Sequence, residues 1–157
     1  MKRRLILYRH AKAETDSSDG DFSRSLRPRG QRDSKRMGKE IRALGMRFDL
    51  VLASPARRVV ETLDCAGVGS RQLDDRLYNA SMDDLIDCIR ATDEQVATLM
   101  VAGHNPGLER LAGSLVGQAV EFPTCALAEI ELPNDRWGEV GEGVGQLVRL
   151  IVPRDLD

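Results

Sequence analysis

Apolar residues in this chain come in short runs that end abruptly in charge. Residues 5–8, LILY, form an unbroken apolar stretch of strand length and predict a strand buried on both faces. The polar stretch 15–27, with Gly20 inside it and Pro28 just after, reads as a loop. From Pro28 the pattern turns helical: proline suits a first turn, Met37, Ile41 and Leu44 recur at helical spacing, and Gly45 is a stop. Residues 49–55, DLVLASP, predict a second strand broken at Ser54 and Pro55, and a helix follows from Ala56 to about Ala66. Residues 71–80 read as a short extended piece and a loop, after which Ser81 and Asp84 resemble a capping box opening a helix with Leu85, Ile86 and Ile89. Residues 96–104 give the third good strand, and Asn105, Pro106 and Gly107 turn it into a helix carrying Leu108, Leu111, Ala112 and Leu115. Two last strands, 126–132 and 146–152, flank the glycine-rich stretch NDRWGEVGEGVG and predict a hairpin. Strands alternating with helices predict an α/β fold of three αβα layers around a mainly parallel sheet, in one domain spanning 1–157.

Composition narrows the setting. With 41% hydrophobic residues, 157 residues suffice for a proper core. No run approaches the roughly 18 apolar residues of a membrane helix, and the opening MKRRLILYRHAK lacks the features of a signal peptide, so a cytoplasmic protein is expected. Cys65, Cys88 and Cys125 are odd in number and far apart, as buried reduced thiols would be. The net charge of -2 conceals a first segment, 1–60, of charge +9 and a remainder of -11. A basic segment feeding a site suits an anionic substrate. Aromatic content of 4% is too sparse for the stacking surfaces of single-strand binders, so no nucleic-acid partner is expected. A monomer or weak dimer is the expectation for assembly.

Three predicted strands end in the same kind of punctuation: Arg9 and His10; Ser54 and Pro55 with Arg57 and Arg58; Gly103, His104, Asn105 and Pro106. In an open α/β sheet, ligands bind beyond the carboxyl ends of parallel strands, so both histidines of the chain and several arginines should converge. Zinc would need a third ligand, and no Cys or His lies at ligand spacing from either histidine. No G-x-S-x-G elbow and no G-x-x-x-x-G-K-[ST] loop occurs. Histidine among arginines, with no metal and no cofactor expected, points to phosphoryl transfer.

These residues carry a family resemblance. The stretch LYRHAKAE resembles the R-H-G signature of the histidine phosphatase superfamily, the phosphoglycerate mutase-like fold, with Ala11 in place of the usual glycine. SPARRVVET resembles its S-P-x-x-R-x-x-x-T segment, which selects Arg58 rather than Arg57; VAGHNPGLERL resembles the segment of the second histidine, and DFSRSLRPRG the early D-x-x-R-x-L-x-x-x-G loop. The four matches keep the family order over roughly residues 5–115, and the short length with the R-H-A variant is most similar to SixA-like phosphohistidine phosphatases.

The resemblance implies that His10 attacks phosphorus and becomes a transient phosphohistidine, its other ring nitrogen donating to a backbone carbonyl. Arg9, Arg58 and His104 would hold the equatorial oxygens, with Arg24, Ser54 and Asn105 as further substrate-binding residues. Asp74 and Asp75 are the available acids in the region where ester-cleaving relatives carry one, and neither aligns with that position. The absence of a clear acid favours phosphohistidine on a protein, such as a histidine phosphotransfer domain; a small phosphate ester, or a non-catalytic phosphate-binding adaptor, is the alternative. Ala11 bears on the adaptor reading, since its methyl would crowd phosphate if that backbone needed a glycine conformation. Tyr78 and Trp137 either line the mouth of the site or fill the core, and the core is the expectation for both.

Overall fold

In a computed structural model, which describes residues 2–156, the predicted alternation of strands and helices is realised. The elements are β1 (Arg3–Arg9), α1 (Pro28–Ala43), β2 (Leu50–Ala53), α2 (Arg57–Ala66), β3 (Gln72–Leu73), α3 (Met82–Arg90), β4 (Thr98–Gly103), α4 (Gly107–Val116), β5 (Leu127–Leu132) and β6 (Gln146–Ile151). The sheet order is β3-β2-β4-β1-β5-β6. Strands β1 to β4 are mutually parallel; β5 runs against β1, and β6 turns back against β5 in the expected hairpin, with a bulge between Glu129 and Ile130.

The apolar run of β1 is continuous because both faces of the sheet are covered. Leu5 and Leu7 point into one core with Leu99 and Val101 of β4 and with α3 and α4 residues such as Leu85, Ile89, Leu108 and Leu111. Ile6 and Tyr8 point into the other, with Met100 and Ala102 of β4 and with Met37, Ile41, Val59 and Leu63 of α1 and α2. A period of two along each strand thus supplies both layers. Trp137 is fully buried, as expected, and its indole N–H donates to the Val96 carbonyl at 2.8 Å.

Strand β4 is shorter than the predicted 96–104, for a local reason. The Val96 carbonyl is taken by the Arg3 guanidinium and the Trp137 indole, and the Ala97 and Thr98 amides donate to the Asp49 carboxylate, so side chains occupy the bonds that a longer ladder would use. The capping box of α3 is present in both directions between Ser81 and Asp84. Among the described residues, no helix is long and apolar enough to cross a membrane.

Candidate active site

Sheet register brings the two histidines together. Arg9 of β1 pairs with Gly103 of β4, so the next residue on each strand, His10 and His104, leaves the sheet at the same level, and the ring centroids lie 5.4 Å apart. On the other side of β4, Ala53 of β2 pairs with Ala102, which sets Ser54 beside His104 and starts α2 at the same crevice. The N-termini of α2 and α4 therefore lie at the edge where Arg58 and Asn105 line a cavity of about 370 Å³, and helix N-termini favour anions.

The backbone after β1 is fixed from several sides. The His10 amide donates to Gly103, the His10 carbonyl accepts from the Cys125 amide, and the Lys12 carbonyl accepts from the Arg27 amide. A Cβ at Gly30 would lie 2.2 Å from the Lys12 carbonyl oxygen, so only glycine lets α1 sit on this segment. Thr62, the last residue of the S-P-x-x-R-x-x-x-T match, ties the segment to α2: its hydroxyl donates to the Arg58 carbonyl at 2.7 Å and accepts the Ala11 amide at 2.9 Å. Ala11 is fully buried within the α1–α2 core and has no positive φ among the described residues. The backbone there needs no glycine conformation, so the ground for a degenerate, adaptor-like site is removed.

Ring chemistry follows from the partners. His10 Nδ1 lies 2.7 Å from the Ala11 carbonyl oxygen, which can only accept, so Nδ1 carries the proton and Nε2 keeps its lone pair. The Nδ1 of His104 lies 3.2 Å from Arg58 Nη2, which can only donate, so this nitrogen accepts and Nε2 donates to Ser54 Oγ at 2.8 Å. Both rings are held neutral. Burial, with the positive charge of Arg58, Arg9 and Arg24, pushes His10 down to about 4, against the pull of its Ala11 hydrogen bond; burial, then Arg58 and His10, pushes His104 to about 3.

Three arginines bring positive charge to the cavity. Arg9 Nη1 donates to the Phe122 carbonyl at 3.0 Å, and Arg58 donates through Nη1 to the Asp21 carbonyl at 2.9 Å. The Nε–H groups of Arg9 and Arg58 are buried and meet no acceptor among the described residues. Arg9, Arg24, Arg58 and Lys12 line one cavity against the single carboxylate Asp21, a balance of charge that suits an anionic ligand. Arg24 lines the same cavity, donating to Asp21 Oδ1 at 2.9 Å and to the Glu14 carbonyl at 2.7 Å. Arg57, one helical step from Arg58, is turned outward onto Glu61.

Several expectations are corrected. Ser54 is fully buried behind His104 and does not line the cavity, so it positions that ring rather than binding substrate. Asn105 does line it, with its amide spent on the Phe122 carbonyl and the Glu109 amide. Tyr78 stands at the rim instead of in the core, because its hydroxyl donates to Asp21 Oδ2 at 2.5 Å while its ring lies edge-on to His104, centroids 5.7 Å apart. Asp74 caps a short turn and pairs with Arg76, and neither it nor Asp75 reaches the cavity. Asp21 is the only carboxylate lining the cavity among the described residues. It belongs to the early loop motif, but its role was not legible because it acts across 57 residues of sequence on Tyr78. The Tyr78 hydroxyl, then Arg58 and Arg24, hold its pKa below the usual carboxylate range. Lys12, inside the LYRHAKAE stretch, also lines the cavity, as do Asn79 and Thr124, which carried no motif signal. Among the described residues no group of three or more His, Cys, Asp or Glu side chains stands ready to hold a metal.

Burying both histidines as neutral rings has a consequence for stability. Their folded pKa values lie below the unfolded value near 6.5, so the unfolded chain takes up protons first as pH falls, and stability is lost from about pH 6.5 downward toward about 4 for His10 and about 3 for His104. Between pH 7 and 5.5, where most carboxylates do not titrate, urea unfolding should lose about 2 kcal/mol, and about half of that in His10→Ala. A flat profile in the parent chain over this interval would show that the rings are not held neutral.

No protein-family model matches the chain. The uncharacterized protein Rv1276c of Mycobacterium tuberculosis is 33% identical over 158 residues, covering 93% of this chain and 99% of that protein. Among solved structures, a protein of Nakamurella multipartitia assigned as the phosphohistidine phosphatase SixA superposes with a TM-score of 0.88 at 24% identity, over 98% of this chain and 97% of that one. A protein of Agrobacterium tumefaciens with the same assignment superposes with a TM-score of 0.82 at 25% identity, over 96% and 98%. With both histidines brought to one sheet edge, the chain has the fold of these two proteins and belongs to one family with Rv1276c.

Proposed function

We propose that this protein is a phosphatase of the histidine phosphatase superfamily that removes phosphate from phosphohistidine on a protein, through a transient phosphohistidine on His10. The observation that carries the mechanism is the ring of His10: Nδ1–H is tied to the Ala11 carbonyl, which leaves the Nε2 lone pair free in a cavity lined by Arg9, Arg24 and Arg58. In the first step the Nε2 lone pair forms a bond to phosphorus while the bond from phosphorus to the leaving nitrogen breaks, its electron pair departing with the leaving imidazole. Water then attacks the phosphorus on His10, inorganic phosphate leaves, and Nε2 recovers its lone pair. Arg9, Arg58 and Arg24 supply charge and hydrogen bonds to the transferring group, where charge stabilisation is the larger contribution. His104, as a neutral ring accepting from Arg58, aligns that guanidinium; it reaches an oxygen itself only after taking a proton at Nδ1.

The substrate follows from the missing acid. An alkoxide leaves badly without a proton, whereas an imidazole whose second nitrogen is protonated leaves as a neutral molecule. Asp21, held ionised by Tyr78, Arg58 and Arg24, is a poor proton donor at neutral pH. Comparing kcat/KM for phosphohistidine with that for phosphoserine and p-nitrophenyl phosphate tests this reading. Since a general acid contributes about 10²-fold or more, phosphohistidine should be preferred by about that factor. Equal or faster ester hydrolysis would overturn the preference and favour a small-ester phosphatase.

A further inference from the structure

Three stretches of chain each line the phosphate cavity with one residue and a second depression with another a few positions along: Asn79 and Met82, Asn105 and Glu109, Thr124 and Glu121. That depression is a groove of about 740 Å³ along α4, walled by residues 117–121 and by Glu142. One hydrogen-bond network forms the partition between the two. The Glu109 amide donates to Asn105 Oδ1 at 3.2 Å, Glu109 Oε1 accepts the Phe122 amide at 2.9 Å, and the Phe122 carbonyl accepts from both Arg9 and Asn105. The groove therefore begins where the cavity ends.

The two compartments differ in chemistry. The cavity is polar, with Arg9, Lys12, Arg24 and Arg58 against Asp21 alone. The groove's exposed lining is mainly apolar, with Met82, Gly113, Gly117, Ala119 and Val120 among its residues, and it carries the three carboxylates Glu109, Glu121 and Glu142 against the single cation Arg110. A phosphoryl group and a leaving imidazole need only the cavity. A groove next to the cavity with a mainly apolar exposed lining offers a flanking segment of substrate a place to lie, and its three carboxylates select against an acidic partner.

We propose that this groove docks the phosphorylated protein substrate, taking an apolar segment with basic flanks that lies next to the phosphorylated histidine. The inference rests on the phosphohistidine reading above. Phosphate then enters a cationic cavity while the flanking chain meets the opposite charge. A substrate that is anionic only at its phosphate is thereby distinguished from a uniformly acidic one.

The test is the double variant Ala119→Arg/Glu142→Lys, which puts a bulky cation at one exposed lining position and reverses the charge at another without touching the cavity. Two substrates are compared, free phosphohistidine and a histidine phosphotransfer domain phosphorylated with phosphoramidate. The expected result is a rise in KM that lowers kcat/KM on the domain about tenfold, with turnover of free phosphohistidine within about twofold of the parent. Unchanged turnover of both substrates overturns the docking role. So does a parent enzyme that hydrolyses free phosphohistidine but not the domain, or a parent dimer that the variant dissolves while domain turnover stays the same. Hydrolysis of neither substrate by the parent sinks the phosphatase reading itself. If the double variant loses both activities through misfolding, Glu142→Lys alone, at an exposed loop position, decides by the same split.

Discussion

Replacing His10 by alanine should abolish turnover, with a loss of about four orders of magnitude or more on any phosphorylated substrate. The size of the effect follows from the proposed role, in which the bond to phosphorus forms at Nε2; among the described residues, no other side chain lining the cavity offers a neutral nitrogen with a free lone pair. His104 is nearest in kind, yet its Nδ1 is engaged by Arg58 and its Nε2 by Ser54. The substitution leaves the arginines in place, so binding of inorganic phosphate should persist. Calorimetric titration with phosphate thus separates loss of the nucleophile from loss of the fold. A variant that binds phosphate and still turns over at a tenth of the parent rate would place the nucleophile elsewhere.

Arg58→Ala carries the second large loss, about 10³-fold in kcat, the range seen when an arginine that meets a transferring phosphoryl group is removed. Arg58 is almost fully buried, with Nη1 on the Asp21 carbonyl, Nη2 between Asp21 and His104, and Nε without an acceptor. Its removal frees His104 Nδ1 and takes away a positive charge that helps keep both rings neutral, so the histidine pKa values should rise as the rate falls. Arg58→Lys keeps the charge and loses the planar fork, and it should recover only a small part of the rate. Thermal unfolding of each variant, measured alongside, isolates the chemical effect. A near-normal kcat in a folded Arg58→Ala would refute the clamp.

Much of this arrangement was legible in the sequence, for identifiable reasons. Continuous apolar runs ending in Arg9 and His10, and in His104 and Asn105, marked parallel strand ends, and register then forces the histidines together. Motif spacing chose Arg58 over Arg57, and helix geometry agrees, since adjacent helical residues point about 100° apart. Contacts made across the fold were not legible. Ser54 looks like a substrate ligand until β2 is set beside β4 and its hydroxyl falls behind His104. Asp21 sits in a polar loop whose pattern carries no periodicity, and its partners lie 37 and 57 residues away at Arg58 and Tyr78. The groove along α4 was invisible because it is made by three separated segments, none apolar enough alone to stand out.

The central claim is that phosphate passes through His10, and trapping it there is the most direct test. The enzyme is mixed with ³²P-labelled phosphohistidine protein, quenched in alkali within the first turnover, digested, and the labelled peptide sequenced. The account predicts an acid-labile, alkali-stable phosphate on the peptide containing His10, absent from His10→Ala and present in His104→Ala at a reduced rate. Label on any other residue, or single-turnover hydrolysis with no labelled enzyme at the shortest times, would contradict it.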